Sequence, residues 1–84
     1  MHPDEVKKLI MAGLPDCEVH VDGDGSHFTT RVVGPVFEGK SLLQKQKIVY
    51  ATVNEQITSG AIHALSIKAY TPAEWQKASA QENA

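Results

Sequence analysis

Val6, Leu9, Ile10 and Leu14 recur at the i, i+3, i+4, i+8 spacing of one helical face. Pro3 suits the first helical position, Asp4 and Glu5 complement the positive end of the dipole, and Gly13 and Pro15 stop the helix. Cys17, Val19 and Val21 then alternate with Glu18, His20 and Asp22, the period-2 pattern of a half-buried strand. Asp22 to Ser26 is a turn by composition. Beyond it Phe28, Thr30 and Val32 alternate with His27, Thr29 and Arg31, so the two strands form an antiparallel hairpin. Gly34-Pro35 breaks the second strand, Val36 to Lys40 connects, and Ser41 with Gln44 has the form of a capping box. Leu42, Val49, Val53 and Ile57 line one stripe of a long helix flanked by Ile48 and Tyr50, which Ser59-Gly60 ends with Gly60 as a left-handed cap. Ile62 to Tyr70 reads as a third strand. Thr71 with Glu74 forms a second capping box, with Pro72 at the first helical position and Trp75 following.

The predicted order is α-β-β-α-β-α, an α+β domain with helices packed on one face of a three-stranded mixed sheet. A right-handed β-α-β crossover makes the second and third strands parallel. Residues 1–78 form one domain, and 79–84 are a small, polar, frayed tail. Phe37 and Trp75 are expected to anchor the two ends of a single core, with Val6, Leu9, Ile10, Val49, Val53 and Ile57 between helices and sheet.

Composition narrows the class. The chain has 84 residues, 42% hydrophobic and 21% charged, which suits a single folded domain and not a disordered one. No apolar run approaches the roughly 20 residues of a membrane span, and the N-terminus lacks the basic-then-apolar pattern of a secretory signal. One cysteine allows neither an internal disulfide nor a C-x-x-C pair, which favours the cytoplasm. The net charge of −2 argues against indiscriminate nucleic-acid binding. Its distribution is uneven: residues 31–50 carry Arg31, Lys40, Lys45 and Lys47 against Glu38 alone, while the first thirty residues are acidic.

No phosphate-binding G-x-x-x-x-G-K, zinc-protease H-E-x-x-H or G-x-S-x-G elbow occurs, so no enzyme is expected. Cys17 shares the inward parity of Val19 and Val21 and reads as a small core hydrophobe. His2 is terminal and His20 faces solvent. His27 and His63 each open a strand beside a turn. Each imidazole could serve only a local hydrogen bond, or the two could form an incomplete metal site whose other ligands come from a partner. Lys40, Lys45 and Lys47, with Arg31 and Lys68, are either a solvated basic surface or a contact for phosphates or an acidic partner.

Phe37-Glu38-Gly39-Lys40-Ser41-Leu42-Leu43-Gln44-Lys45, Ile48-Val49-Tyr50, Ile62-His63-Ala64 and Tyr70-Thr71-Pro72-Ala73-Glu74-Trp75 together resemble the BolA-like family over nearly the whole chain. Gly23-Asp24-Gly25-Ser26-His27-Phe28 and Ile67 to Pro72 are most similar to its bacterial IbaG branch. The resemblance implies a class II KH-like fold. It also implies a non-enzymatic adaptor that pairs with a monothiol glutaredoxin as a heterodimer, shares a [2Fe-2S] cluster with it, and serves iron handling and acid or stress responses. His63 matches the family's cluster-ligating C-terminal histidine, and His27 the loop-and-strand histidine that supplies a second ligand in some members. The partner's active-site thiolate and bound glutathione are implied to complete the set, so the isolated chain should carry no cluster, and it could self-associate when alone. The alternative function is a nucleic-acid-binding transcriptional regulator using the basic central helix. Two departures bear on it: Lys45-Gln46 stands where many members carry Arg-His, and the KH phosphate loop G-x-x-G is absent.

Overall fold

The computed structural model describes residues 1–82 of the chain. Helix α1, Pro3–Gly13, starts at a capping box. The His2 imidazole accepts from the Asp4 N–H at 3.1 Å, and the Glu5 carboxylate accepts from the His2 N–H at 3.1 Å. Val6 and Ile10 on its inner face are fully buried, as the spacing predicts.

Strands β1, Glu18–Gly23, and β2, His27–Val33, pair antiparallel, with Val19 opposite Val32 and Val21 opposite Thr30. Strand β3, Ala64–Tyr70, lies parallel to β2 and gives the sheet order β1-β2-β3. The third strand begins two residues later than the apolar run predicts. Ile62 is buried, but its N–H donates back to the Gln56 carbonyl at 3.0 Å, so it closes the preceding helical segment and does not join the ladder.

A single 3-10 turn, Pro35–Phe37, leads to α2, Leu42–Thr52, whose capping box is formed: the Ser41 hydroxyl accepts from the Gln44 N–H and the Gln44 side chain from the Ser41 N–H. The predicted long helix is interrupted. The Thr52 hydroxyl donates to the Val49 carbonyl at 2.6 Å, and the Val53 N–H turns to Tyr50 at 3.1 Å, leaving Val53 at φ −126° and ψ 19°. A β-branched side chain that back-bonds inside a helix competes with the backbone ladder. A second short helix, α3, Asn54–Thr58, follows, and Gly60 adopts φ +83° beyond it as predicted. Leu42 is also off the predicted stripe. It is 67% exposed, and Lys45 is the buried residue one turn before Val49.

The core lies between the sheet and α1 to α3, where Val6, Ile10, Val19, Phe28, Val32, Phe37, Val49 and Val53 pack together. Leu9 and Ile57 pack against it while half-buried. Thr30 is buried among these groups at little cost because its hydroxyl donates to the His20 carbonyl at 3.1 Å. Helix α4, Pro72–Glu82, opens on the second predicted capping box, with Thr71 and Glu74 bonded reciprocally at 3.1 and 2.8 Å. Phe37 is fully buried in the core, but Trp75 does not anchor its other end. Its ring lies against Arg31 and Tyr70, whose side chains occupy the opposite face of the sheet. Apolarity predicts that an indole finds cover, not which face provides it. Of the expected polar tail, the stretch to Glu82 continues α4, and Asn83 and Ala84 lie outside the described residues.

Candidate functional site

His27 opens β2 directly after the hairpin turn, and the turn is built to hold it. One Asp24 carboxylate oxygen accepts from the Ser26 N–H at 3.0 Å and from the His27 N–H at 2.9 Å, while Gly25 takes φ +99°. These backbone donors, His27 first, hold the Asp24 carboxyl below its ordinary value. The other Asp24 oxygen stands 3.8 Å from Nδ1 of His27, whose side chain is 72% exposed. His63 comes to the same end of the sheet through the parallel crossover. Its N–H and that of Ala64 both donate to the Ser26 carbonyl at 3.2 Å, and Ala64 is the register partner of His27. Residues 36 positions apart in the chain therefore stand at one sheet end, both exposed to solvent. Among the described residues no group of three or more His, Cys, Asp or Glu is assembled as a metal site, so the chain alone offers at most a partial donor set there.

Cys17 stands elsewhere and is sealed. It is 7% exposed in the core, and burial, with the neighbouring Asp16 carboxylate, pushes its thiol up. A raised, buried thiol is a poor ligand and a poor nucleophile. Between thiol and imidazole, it is the imidazoles that this protein presents to solvent.

The basic residues do not form one surface. Lys40 and Lys47 border a shallow hollow of about 260 Å³ on α2 with Gln44 and Ile48. Lys45 points inward, only 10% exposed at its side chain, and its ammonium donates to both oxygens of Glu74 at 2.8 and 3.1 Å. That bond, then the Thr71 N–H, holds the Glu74 carboxyl below its ordinary value. Lys45 thus fastens α2 to the start of α4 and is not free to meet a phosphate. Arg31 and Lys68 are cross-strand partners on the outer face of the sheet, away from α2.

The family model for the BolA-like protein matches residues 13–74, from the end of α1 to the first turn of α4. The chain belongs to the BolA-like family. Among its relatives, the acid stress protein IbaG of Escherichia coli (strain K12) is 49% identical over 77 residues, 92% of each chain. The structure of a BolA protein homologue from Coxiella burnetii is similar at TM-score 0.82 and 38% identity, covering 90% of this chain and 97% of that one. The BolA domain of SufE1 from Arabidopsis thaliana is similar at TM-score 0.75 and 31% identity, covering 86% and 93%. His27 and His63 both fall within the stretch that the BolA-like model matches.

Two features of this BolA-like domain escaped sequence reasoning. The Lys45–Glu74 pair joins residues 29 apart, and the Arg31–Trp75 stack joins residues 44 apart with a guanidinium carbon 4.1 Å from the ring centroid. Neither contact leaves a local signal. Arg31 and Lys45 stand out along the chain as basic residues, Trp75 as apolar and Glu74 as a capping residue, but nothing local pairs them.

Proposed function

We propose that this BolA-like protein is a non-enzymatic, cytoplasmic adaptor that pairs with a monothiol glutaredoxin, co-ligates a [2Fe-2S] cluster with it, and acts in iron–sulfur trafficking and the acid-stress response. The observation that supports this reading most is the donor set at one sheet end: two exposed imidazoles, held by a structured turn and a parallel ladder, with the chain's one thiol buried. A [2Fe-2S] centre takes about four protein ligands, and imidazole can replace thiolate, which raises the reduction potential. His63 and His27 fit two of these positions, and a glutaredoxin thiolate with its glutathione fits the others. The kinship with an acid stress protein supports the physiological part of the proposal, and the absence of any helix long and apolar enough to cross a membrane among the described residues agrees with it.

The test is the absorption spectrum of this chain co-expressed with a monothiol glutaredoxin. The isolated chain should be colourless, and the mixed complex should differ from the glutaredoxin homodimer. His63→Ala should abolish that distinct spectrum with the far-UV circular dichroism unchanged, and His27→Ala should weaken or alter it. An unchanged spectrum in the His63 variant would remove the proposal. The nucleic-acid alternative loses Lys45 to Glu74 and keeps two lysines with no ion pair among the described residues, Lys40 before α2 and Lys47 on it. Their replacement would flatten a log K against log salt slope by only about 1.8.

A further inference from the structure

The outer face of the sheet carries a juxtaposition that folding alone does not explain. His20, Arg31 and Lys68 share one rung across β1, β2 and β3, and Asp22, Thr29 and Ser66 share the next. Like charges directly opposite on neighbouring strands are destabilising, yet Arg31 and Lys68 stand so with no ion-pair partner of their own among the described residues. Of the two β1 carboxylates on this face, Asp22 is engaged with Nε2 of His20 at 2.9 Å, and Glu18 stands one rung beyond Arg31, opposite Val33. The Trp75 stack accounts for Arg31, but no ion pair among the described residues offsets the Lys68 ammonium opposite it, and a local rule broken without compensation marks a candidate functional site.

We propose that this face is a binding site for a small oxyanion, a molecule bearing one to three phosphoryl or carboxylate groups, independent of the histidine end. Arg31 is prepared for it. Its guanidinium lies against the Trp75 ring, which itself packs on Tyr70 with centroids 5.4 Å apart. Stacking restrains the long side chain while leaving the in-plane N–H donors free for a planar or tetrahedral oxyanion. Lys68 supplies a second charge one strand away, and Thr29 supplies a hydroxyl on the adjoining rung. Arg31, Lys68, Thr29, Tyr70 and Trp75 line a hollow of about 210 Å³, room for a small molecule, and the Asp22 carboxylate on its β1 side is occupied by His20. The surroundings exclude a longer polyanion. Asp16 and Glu18 border the surface beside Trp75, and Asp22 and Asp24 stand toward the hairpin turn, so a strand of phosphates would meet carboxylates in both directions.

Trp75 is the chain's one tryptophan, and its contact with Arg31 makes it the reporter. The full chain is titrated with inorganic pyrophosphate, with citrate and with a short oligothymidylate, following tryptophan emission and, in parallel, heat by calorimetry. Saturable binding of pyrophosphate or citrate with a Kd below about 1 mM is expected. The tighter of the two identifies the anion as phosphoryl or carboxylate. Arg31→Gln and Lys68→Gln should each weaken it by about tenfold or more. Lys68 is exposed, so its variant keeps the fold even if Arg31→Gln loosens the Trp75 packing. Lys47→Gln, which removes the same charge from α2, should leave the titration unchanged. No saturable signal, equal weakening by Lys47→Gln, or tighter binding of the oligothymidylate than of both small anions would each overturn the proposal.

Discussion

Gly34 is a glycine for want of space and not for its backbone, since its φ of −173° is open to any residue. Glu18 pairs with Val33, so Cys17 and Gly34 stand on the next rung, where β1 and β2 converge. A methyl group at Gly34 would overlap the Cys17 sulfur and stand 3.2 Å from its Cβ and 3.3 Å from its Cα. Overpacking costs about 1–3 kcal/mol, and an overlap that also crowds the Cys17 backbone belongs at the upper end of that range. Gly→Ala recovers about 0.4–1 kcal/mol by restricting the unfolded chain, so Gly34→Ala should lose about 2 kcal/mol net. That is a large share of the roughly 4–13 kcal/mol expected for an 84-residue chain. Cys17→Ala alone should lose about 1 kcal/mol, for one buried sulfur and the void it leaves. In the double variant the new methyl occupies the space of the sulfur, so the loss should be near 1 kcal/mol and not the additive 3, a coupling of about 2 kcal/mol. The assay is urea unfolding followed by far-UV circular dichroism in all four proteins. A Gly34→Ala protein within about 0.5 kcal/mol of the parent, or an additive double variant, would refute the packing argument.

The remaining expectations follow from the same structure. Val53→Ala, at a fully buried site, should cost about 1–3 kcal/mol, whereas Leu42→Gln, at an exposed one, should shift stability by less than about 0.5 kcal/mol; equal effects in urea unfolding would restore the uninterrupted apolar stripe. The Glu74 and Asp24 carboxyls are held below their ordinary values of 4.5 and 3.8 in the folded state, so the stability they contribute is present above those values and is lost as pH falls through the lowered ones. Glu74→Gln should therefore be less stable at neutral pH, with Lys45 left unpaired, and flatter toward acid; an acid dependence of the urea midpoint identical to the parent's would exclude the Lys45 contact as its source.

What could be read along the chain was what neighbours in sequence decide. The alternation from Cys17 to Val21 and from His27 to Val32 gave the hairpin its faces, and both capping boxes are formed where their residues predict. The failures share one cause, which is that periodicity records apolarity and not partnership. Leu42 fits the stripe of Val49 and Val53, but Lys45 occupies the inner position because a carboxylate 29 residues later receives its charge. The stripe also runs through Val53 without a sign that Thr52 takes the carbonyl the helix needs. Apolarity alone puts Trp75 in the core, whereas a cation on the far face of the sheet provides the cover its indole needs.

The candidate histidines lie between these cases. A parallel crossover could be inferred from chirality alone, and it necessarily carries the start of β3 to the start of β2. The register that sets Ala64 against His27, with His63 bonded to the turn beside it, is a property of the assembled sheet. The alternation that buries Cys17 and exposes His27 therefore has a chemical consequence. The fold withdraws its thiol and presents imidazoles, so any cluster this BolA-like domain helps to hold must take its sulfur ligands from a partner.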